Sequence, residues 1–145
     1  LELFPNVQPI YRTKINSWHD ERIRGAIEAT GRKKVIAAGI TADFCIGIPA
    51  KTMADAGYDV RLVMDASGNY SNMVLHASIA NLTQAGVKVS NWLSVACELQ
   101  QDWAIEHTAK GLLEIYQQHL PQWGMLETTQ TTWKSLQNQS AGTTQ

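Results

Sequence analysis

Along this chain the hydrophobic positions switch repeatedly between a helical period and short unbroken runs. From Asp20 onward, Ile23, Ala26 and Ile27 fall at helical spacing, with acidic Asp20 and Glu21 in front and Thr30-Gly31 behind, which predicts a helix over 20–30. Lys33-Lys34 then lead into Val35-Ile36-Ala37-Ala38-Gly39, a continuous apolar run of the kind carried by a parallel strand buried on both faces. Ile46 to Ala56 returns to helical spacing through Ile48, Met53 and Ala56 and stops at Gly57. Its Pro49 lies in the first turn, where a missing N–H costs little. Tyr58 to Met64 reads as a second strand, closed by the turn Asp65-Ala66-Ser67-Gly68-Asn69. A helix over 71–85 ends in Ala85-Gly86, and Val87-Lys88-Val89 is a third short strand.

Helices of this length between short strands require crossover connections, so the strands are expected to be parallel and the fold class to be α/β. In such sheets ligands bind beyond the carboxyl ends of the strands. Cys45 and the Asp65 turn both follow strand ends and are therefore expected to line one pocket.

The ends of the chain follow different patterns. Leu1 to Lys14, with Pro5 and Pro9, reads as a loop leading into a brief extended segment, Pro9-Ile10-Tyr11-Arg12. Residues 95–119 carry Leu99, Trp103, Leu112, Leu113 and Tyr116 at helical spacing, with Gly111 as the expected break between two helices. After Pro121 the chain is rich in Gln and Thr, yet it holds Trp123, Met125, Leu126, Trp133 and Leu136. Exposed tryptophans are unfavourable on a polar arm, so this tail is expected to pack on its own domain or on a neighbouring subunit. The organisation predicted is an α/β core over 1–110 and a C-terminal helical arm and tail over 111–145, with Ser140 to Gln145 irregular. The start at Leu1, without Met, reads as the middle of a longer polypeptide whose N-terminal part is not represented.

Composition narrows the function classes. A chain of 145 residues can bury a real core without disulfide staples. Its 12 basic and 13 acidic residues nearly cancel, which argues against nucleic acid or an anionic membrane as partner. No run approaches the roughly 18 to 20 apolar residues of a membrane span. The two cysteines, Cys45 and Cys97, suit a reducing cytoplasm and are too few for a Cys-based zinc site. No His/Asp/Glu cluster has ligand spacing and no Gly-rich phosphate loop is present, so neither a metal nor another cofactor is expected. His19 and His76 read as surface or packed residues, and Cys97 as packed under the C-terminal helix.

Cys45 is the residue with most chemistry to offer. It stands where the apolar run has ended and the next helix is about to begin, a place where orphan backbone N–H groups and the helix dipole favour an anion. The competing reading is a small hydrophobe filling space under the sheet.

The blocks Gly39-Ile40-Thr41-Ala42-Asp43-Phe44-Cys45, Ala56-Gly57-Tyr58-Asp59-Val60 and Val63-Met64-Asp65-Ala66 resemble the signature of the isochorismatase-like cysteine hydrolases. Asn91 to Trp103 is similar to the YcaC-related branch of that superfamily. The resemblance spans roughly 8–105. It implies a Rossmann-like three-layer α/β/α fold and a Cys, Lys, Asp triad, with Cys45 as the nucleophile that forms a thioester-type intermediate on a small amide or related C–N compound. It also implies an oxyanion hole from the backbone N–H groups of Thr41 and Cys45, and a non-proline cis peptide at Ile40–Thr41.

Two departures stand out. Ala42 occupies a place where the family commonly has Thr, and the family lysine is best matched by Arg12, with Lys14 the alternative. Arg in that place would supply charge and orientation without proton transfer. The triad Asp belongs at the end of a strand well upstream of the lysine, whereas only eleven residues precede Arg12. Glu2 and Asp20 follow no buried strand, and Asp43 matches a motif acid other than the triad member. Asp65 is expected to cap and close its own turn. The sequence reading is thus a cysteine hydrolase with a small-molecule substrate, forming a homo-oligomer through its C-terminal arm. A noncatalytic homo-oligomeric scaffold that keeps the fold without a complete triad is the alternative.

Overall fold

The computed structural model describes residues 4–141. Asp20 opens helix α1 (Glu21–Ala29) by accepting the Arg22 N–H at 3.1 Å, and the Thr30 hydroxyl closes it on the Ile27 carbonyl at 2.7 Å. Strands β1 (Lys34–Ala37), β2 (Asp59–Val63) and β3 (Lys88–Ser90) form one parallel sheet in the order β1-β2-β3. Val35 pairs with Val60, and Leu62 with Val89. The crossovers are α2 (Gly47–Asp55) and α3 (Asn72–Gln84), the latter capped by Ser71, whose Oγ accepts the Val74 N–H at 3.3 Å. Each predicted strand and crossover helix in this stretch is present to within two residues at each end.

The core beneath the sheet contains Met53, Val60, Leu62, Leu82 and Val87, all nearly inaccessible to solvent. Trp18 packs edge-on to Tyr58, ring centroids 5.1 Å apart, and the Lys33 ammonium sits 4.3 Å from the Tyr58 ring centroid. This cation–π contact covers the rim of the aromatic pair.

One expectation for this part is corrected. β1 is not buried on both faces: Ile36 is 53% exposed and lies on the sheet face it shares with Arg61 and Lys88, neither of which is buried, whereas Ala37 on the opposite face is buried. The Pro9–Arg12 segment forms no strand. Pro9 has no N–H to donate to a ladder, and the Tyr11 carbonyl is taken by the Arg22 guanidinium at 2.8 Å.

The chain divides into two compact units, Leu1–Val95 and Ala96–Gln145, with helix α4 (Trp92–Gln100) running across the division. The second unit continues with α5 (Glu106–His119) and α6 (Pro121–Ala141). The helical break falls at 101–105 and not at Gly111, which lies inside α5. Gln101 adopts a left-handed conformation (φ 62°), Asp102 accepts the Ala104 N–H at 2.9 Å, and the Gln100 amide holds the Asp102 and Ile105 carbonyls at 2.9 and 3.2 Å. Side-chain to backbone bonding of this kind competes with helix, whereas a lone Gly only weakens one.

Tyr116 is buried at the centre of the second unit, edge-on to both Trp103 (6.2 Å) and Trp123 (5.5 Å). Its hydroxyl lies 3.0 Å from the Cys97 Sγ. Cys97 itself is exposed and not packed away as expected, with its sulfur at the Tyr116 hydroxyl. Of the terminal stretch expected to be irregular, Ser140 and Ala141 belong to α6, and 142–145 lie outside the described residues. Among the described residues no helix is long and apolar enough to cross a membrane.

Candidate active site

The loop leaving β1 is laced to the loop leaving β2. The Gly39 N–H donates to the Ser67 Oγ at 3.2 Å, and the Ser67 hydroxyl donates in turn to the Val63 carbonyl at 2.7 Å. The Gly68 N–H reaches the Gly39 carbonyl at 3.1 Å, and the Ala42 N–H the Gly68 carbonyl at 3.0 Å. The turn of residues 42–46 then delivers the chain into α2, closed by the Ile46 N–H on the Thr41 carbonyl at 3.2 Å. The Ile40–Thr41 peptide is cis, as the resemblance implied.

Cys45 sits half-buried on this turn, two residues ahead of α2, whose N-cap Ile46 provides no side-chain cap. Neither the Thr41 nor the Cys45 N–H donates to any acceptor among the described residues. A thiol thus shares one tight turn with two available backbone donors near the positive end of a helix. Phe44 stacks on Tyr70, centroids 6.4 Å apart, and Ile40 is 80% exposed, so the rim beside the thiol is apolar and aromatic.

Three buried oxygens here, Thr41 Oγ1, Asp43 Oδ1 and Asn69 Oδ1, have no hydrogen-bond partner among the described residues. Each unmet group of this kind costs roughly 1–3 kcal/mol, which a folded protein tolerates mainly at working sites or where another part is meant to dock.

The candidate cations lie on the N-terminal segment. Arg12 donates to the Lys14 carbonyl and, at 3.1 Å, to the Ile15 carbonyl, while Lys14 Nζ donates to the His19 carbonyl at 2.8 Å. Arg12 is half-buried and Lys14 exposed, and among the described residues no hydrogen bond joins either to Cys45. Of the candidate carboxylates, Asp20 is engaged elsewhere. Asp20 caps α1 and binds Arg22 at 2.7 Å; the Arg22 hydrogen bond is the main cause that brings its carboxyl from the usual 3.8 down to about 2. Asp43 borders a cavity of about 180 Å³ between α2 and α3, beside Lys51, Ser78 and Asn81. Glu2 lies outside the described residues.

Asp65 does not close its own turn as expected: its Oδ1 accepts the Trp92 N–H at 2.8 Å and so ties the end of β2 to the start of α4. His19 faces the Asn16 amide at 3.4 Å, and His76 is exposed on α3. Among the described residues no group of three metal-ligating side chains converges.

The residues that sequence reasoning passed over are Ser67, Asn69, Tyr70 and Gly47. The first three lie on the β2 loop, whose partnership with the β1 loop is a long-range pairing. Gly47 had a local signal, a glycine two positions after the thiol, and its role is steric: a Cβ there would stand 2.1 Å from the Ala42 carbonyl oxygen.

Comparison with known proteins agrees with this picture. The isochorismatase domain model matches residues 1–94. The probable hydrolase YcaC of Escherichia coli is 36% identical over 130 residues, covering 89% of this chain and 62% of that protein. The crystal structure of that gene product, described as an octameric hydrolase of unknown specificity, superimposes with a TM-score of 0.81 at 34% identity, over 91% of this chain and 64% of the other. YcaC from Pseudomonas aeruginosa, solved with hexane-2,5-diol and covalent acrylamide, gives a TM-score of 0.80 at 37% identity over 88% and 63% of the two chains. The chain therefore spans somewhat under two thirds of the length of these relatives. With its Rossmann-like three-layer α/β/α fold and its match to the family model over 1–94, the chain belongs to the isochorismatase family, in its YcaC-related branch.

Proposed function

We propose that Cys45 is the nucleophile of a hydrolase that cleaves a small amide or related carbon–nitrogen compound. The carrying observation is the half-buried thiol on one turn with the acceptor-free N–H groups of Thr41 and Cys45. The Cys45 thiolate attacks the carbonyl carbon, forming a C–S bond as the C=O electron pair moves to oxygen. That oxyanion is held by the two N–H groups, a contribution typically worth about 3 to 4 kcal/mol per donor. Collapse breaks the C–N bond, and the amine departs with a proton from a general acid. Water then adds to the thioester, gives its proton to the same group, and releases a carboxylic acid as the Cys45 thiolate is regenerated. Arg12, or Lys14 in its stead, supplies positive charge near the anion without relaying protons in the case of Arg12.

The proton-transferring carboxylate is assigned to chain beyond these residues, on a strand that pairs with the open side of β1. Support comes from the place of β1 at the end of the sheet among the described residues, from the Thr41, Asp43 and Asn69 oxygens that lack a partner among those residues, and from the share of the relatives' length that this chain spans. The assembly is proposed to be a homo-oligomer, as the E. coli relative is described to be, with residues 111–145 as the arm that makes the contact.

Acrylamide, a thiolate-selective electrophile found covalently bound in the P. aeruginosa relative, is a direct probe. Near neutral pH it should modify Cys45 at least tenfold faster than Cys97, read by peptide mass mapping. The full-length gene product should hydrolyse members of an amide panel, and Cys45→Ala should abolish this. Equal, slow labelling of both cysteines, with no turnover of any amide, would leave the scaffold reading in its place.

A further inference from the structure

Helix α6 (Pro121–Ala141) presents one face to α5 and leaves an apolar one exposed among the described residues. Toward α5 it turns Trp123, packed on Tyr116, and Glu127, which accepts from the Gln117 amide at 2.7 Å. At 100° per residue, Met125, Leu126, Thr129, Trp133 and Leu136 fall within an arc of about 100° on the far side. The four apolar ones are 72, 67, 63 and 53% exposed. Glu127 and Lys134 are the only charged residues of α6, so little on the helix favours leaving this stripe in water.

The stripe has an internal symmetry. Met125 and Leu136 lie five and six residues to either side of Gln130, and Leu126 and Trp133 lie four and three. Running a second copy of the helix antiparallel about a two-fold axis through Gln130 sets Met125 against the partner's Leu136 and Leu126 against the partner's Trp133. Each pair is level to within one residue, about 1.5 Å. A self-complementary patch of this form is what an isologous interface requires. In a parallel pairing the two Trp133 indoles would meet at one level, and the helix dipoles would align unfavourably.

We infer that α6 is an isologous dimer contact between two copies of this chain, antiparallel and centred on Gln130. This deepens the homo-oligomer reading above and rests on it. In the full chain with Cys97→Ser and Cys45→Ala, the pair Met125→Cys and Leu136→Cys is oxidised and the cross-linked peptides are identified by mass spectrometry, with light scattering to give the assembly mass.

The expected result is an intermolecular 125–136 disulfide in a homo-oligomer, and at least a halving of assembly mass for Leu126→Glu with its helical circular dichroism retained. Cross-links of 125–125 or 136–136 alone would overturn the antiparallel register. An oligomer without any α6 cross-link would overturn the contact and leave the homo-oligomer standing. A monomer at all concentrations would overturn both. Because the cross-link is read in a chain that keeps Leu126, a Leu126→Glu variant that fails to fold does not decide the matter.

Discussion

The α-carbon of Gly47 faces the Ala42 carbonyl oxygen so closely that a Cβ would stand 2.1 Å from it. The obstacle is backbone, which a side-chain rotation cannot clear, and it belongs to the turn that carries Thr41 and Cys45. Gly47→Ala should therefore destabilise the protein by about 1–3 kcal/mol, the range for overpacking, with a lowered thermal midpoint. It should also slow acrylamide labelling of Cys45 while leaving Cys97 unaffected. Labelling of Cys45 at the wild-type rate would show that the turn accommodates the methyl group without moving its thiol.

Tyr116 offers an alkaline signature. Burial first, and then the hydrogen bond and charge of Cys97, push its phenol from 10.0 up to about 12. A phenol raised in the folded state is still protonated where the unfolded chain has ionised, so its contribution to stability is full below pH 10 and is lost as pH rises toward 12. Ultraviolet titration of the folded protein should show one of its four tyrosines ionising last. In Tyr116→Phe that last step should be missing and the loss of stability over this range should flatten.

Asp20 works in the opposite sense. Its folded value of about 2 lies below the ordinary 3.8, so the stabilisation it gives through the α1 cap and Arg22 is present above about pH 4 and is lost as pH falls through 2. Asp20→Ala should melt below the wild type at pH 7, and the difference should shrink steadily between pH 4 and pH 2. A difference that stays constant through that range would assign the effect to packing.

Leu62 is fully buried at the middle of β2, the central strand. Leu62→Ala should cost about 2–5 kcal/mol, as large-to-small changes in cores do. A urea titration checks it through a lower midpoint at unchanged slope. Ile36→Ala, on the exposed edge of the same sheet, should cost much less in the 145-residue chain.

The sequence by itself determined what is local. The period of the apolar residues placed α1, α2, α3 and the three strands, because each element's register depends on neighbours three or four positions away. The Gly39-to-Cys45 block located the thiol turn and its Ile40–Thr41 cis peptide through its likeness to a family. Only the tertiary structure decided what depends on distant partners. The run Val35-Ile36-Ala37 reads the same whether one face of its strand is covered or both, and the face that Ile36 shares with Arg61 is the one left exposed. Asp65 carries no mark in its own turn that it will hold the Trp92 N–H, twenty-seven positions on. Gly111 looks like a helix break, but the side chains of Gln100 and Asp102 fold back on the backbone and place the break ten residues earlier. Cys45 stands between the two cases: its place at the mouth of α2 was written locally, while its apolar rim of Ile40, Phe44 and Tyr70 exists only because the loops leaving β1 and β2 are hydrogen-bonded to each other.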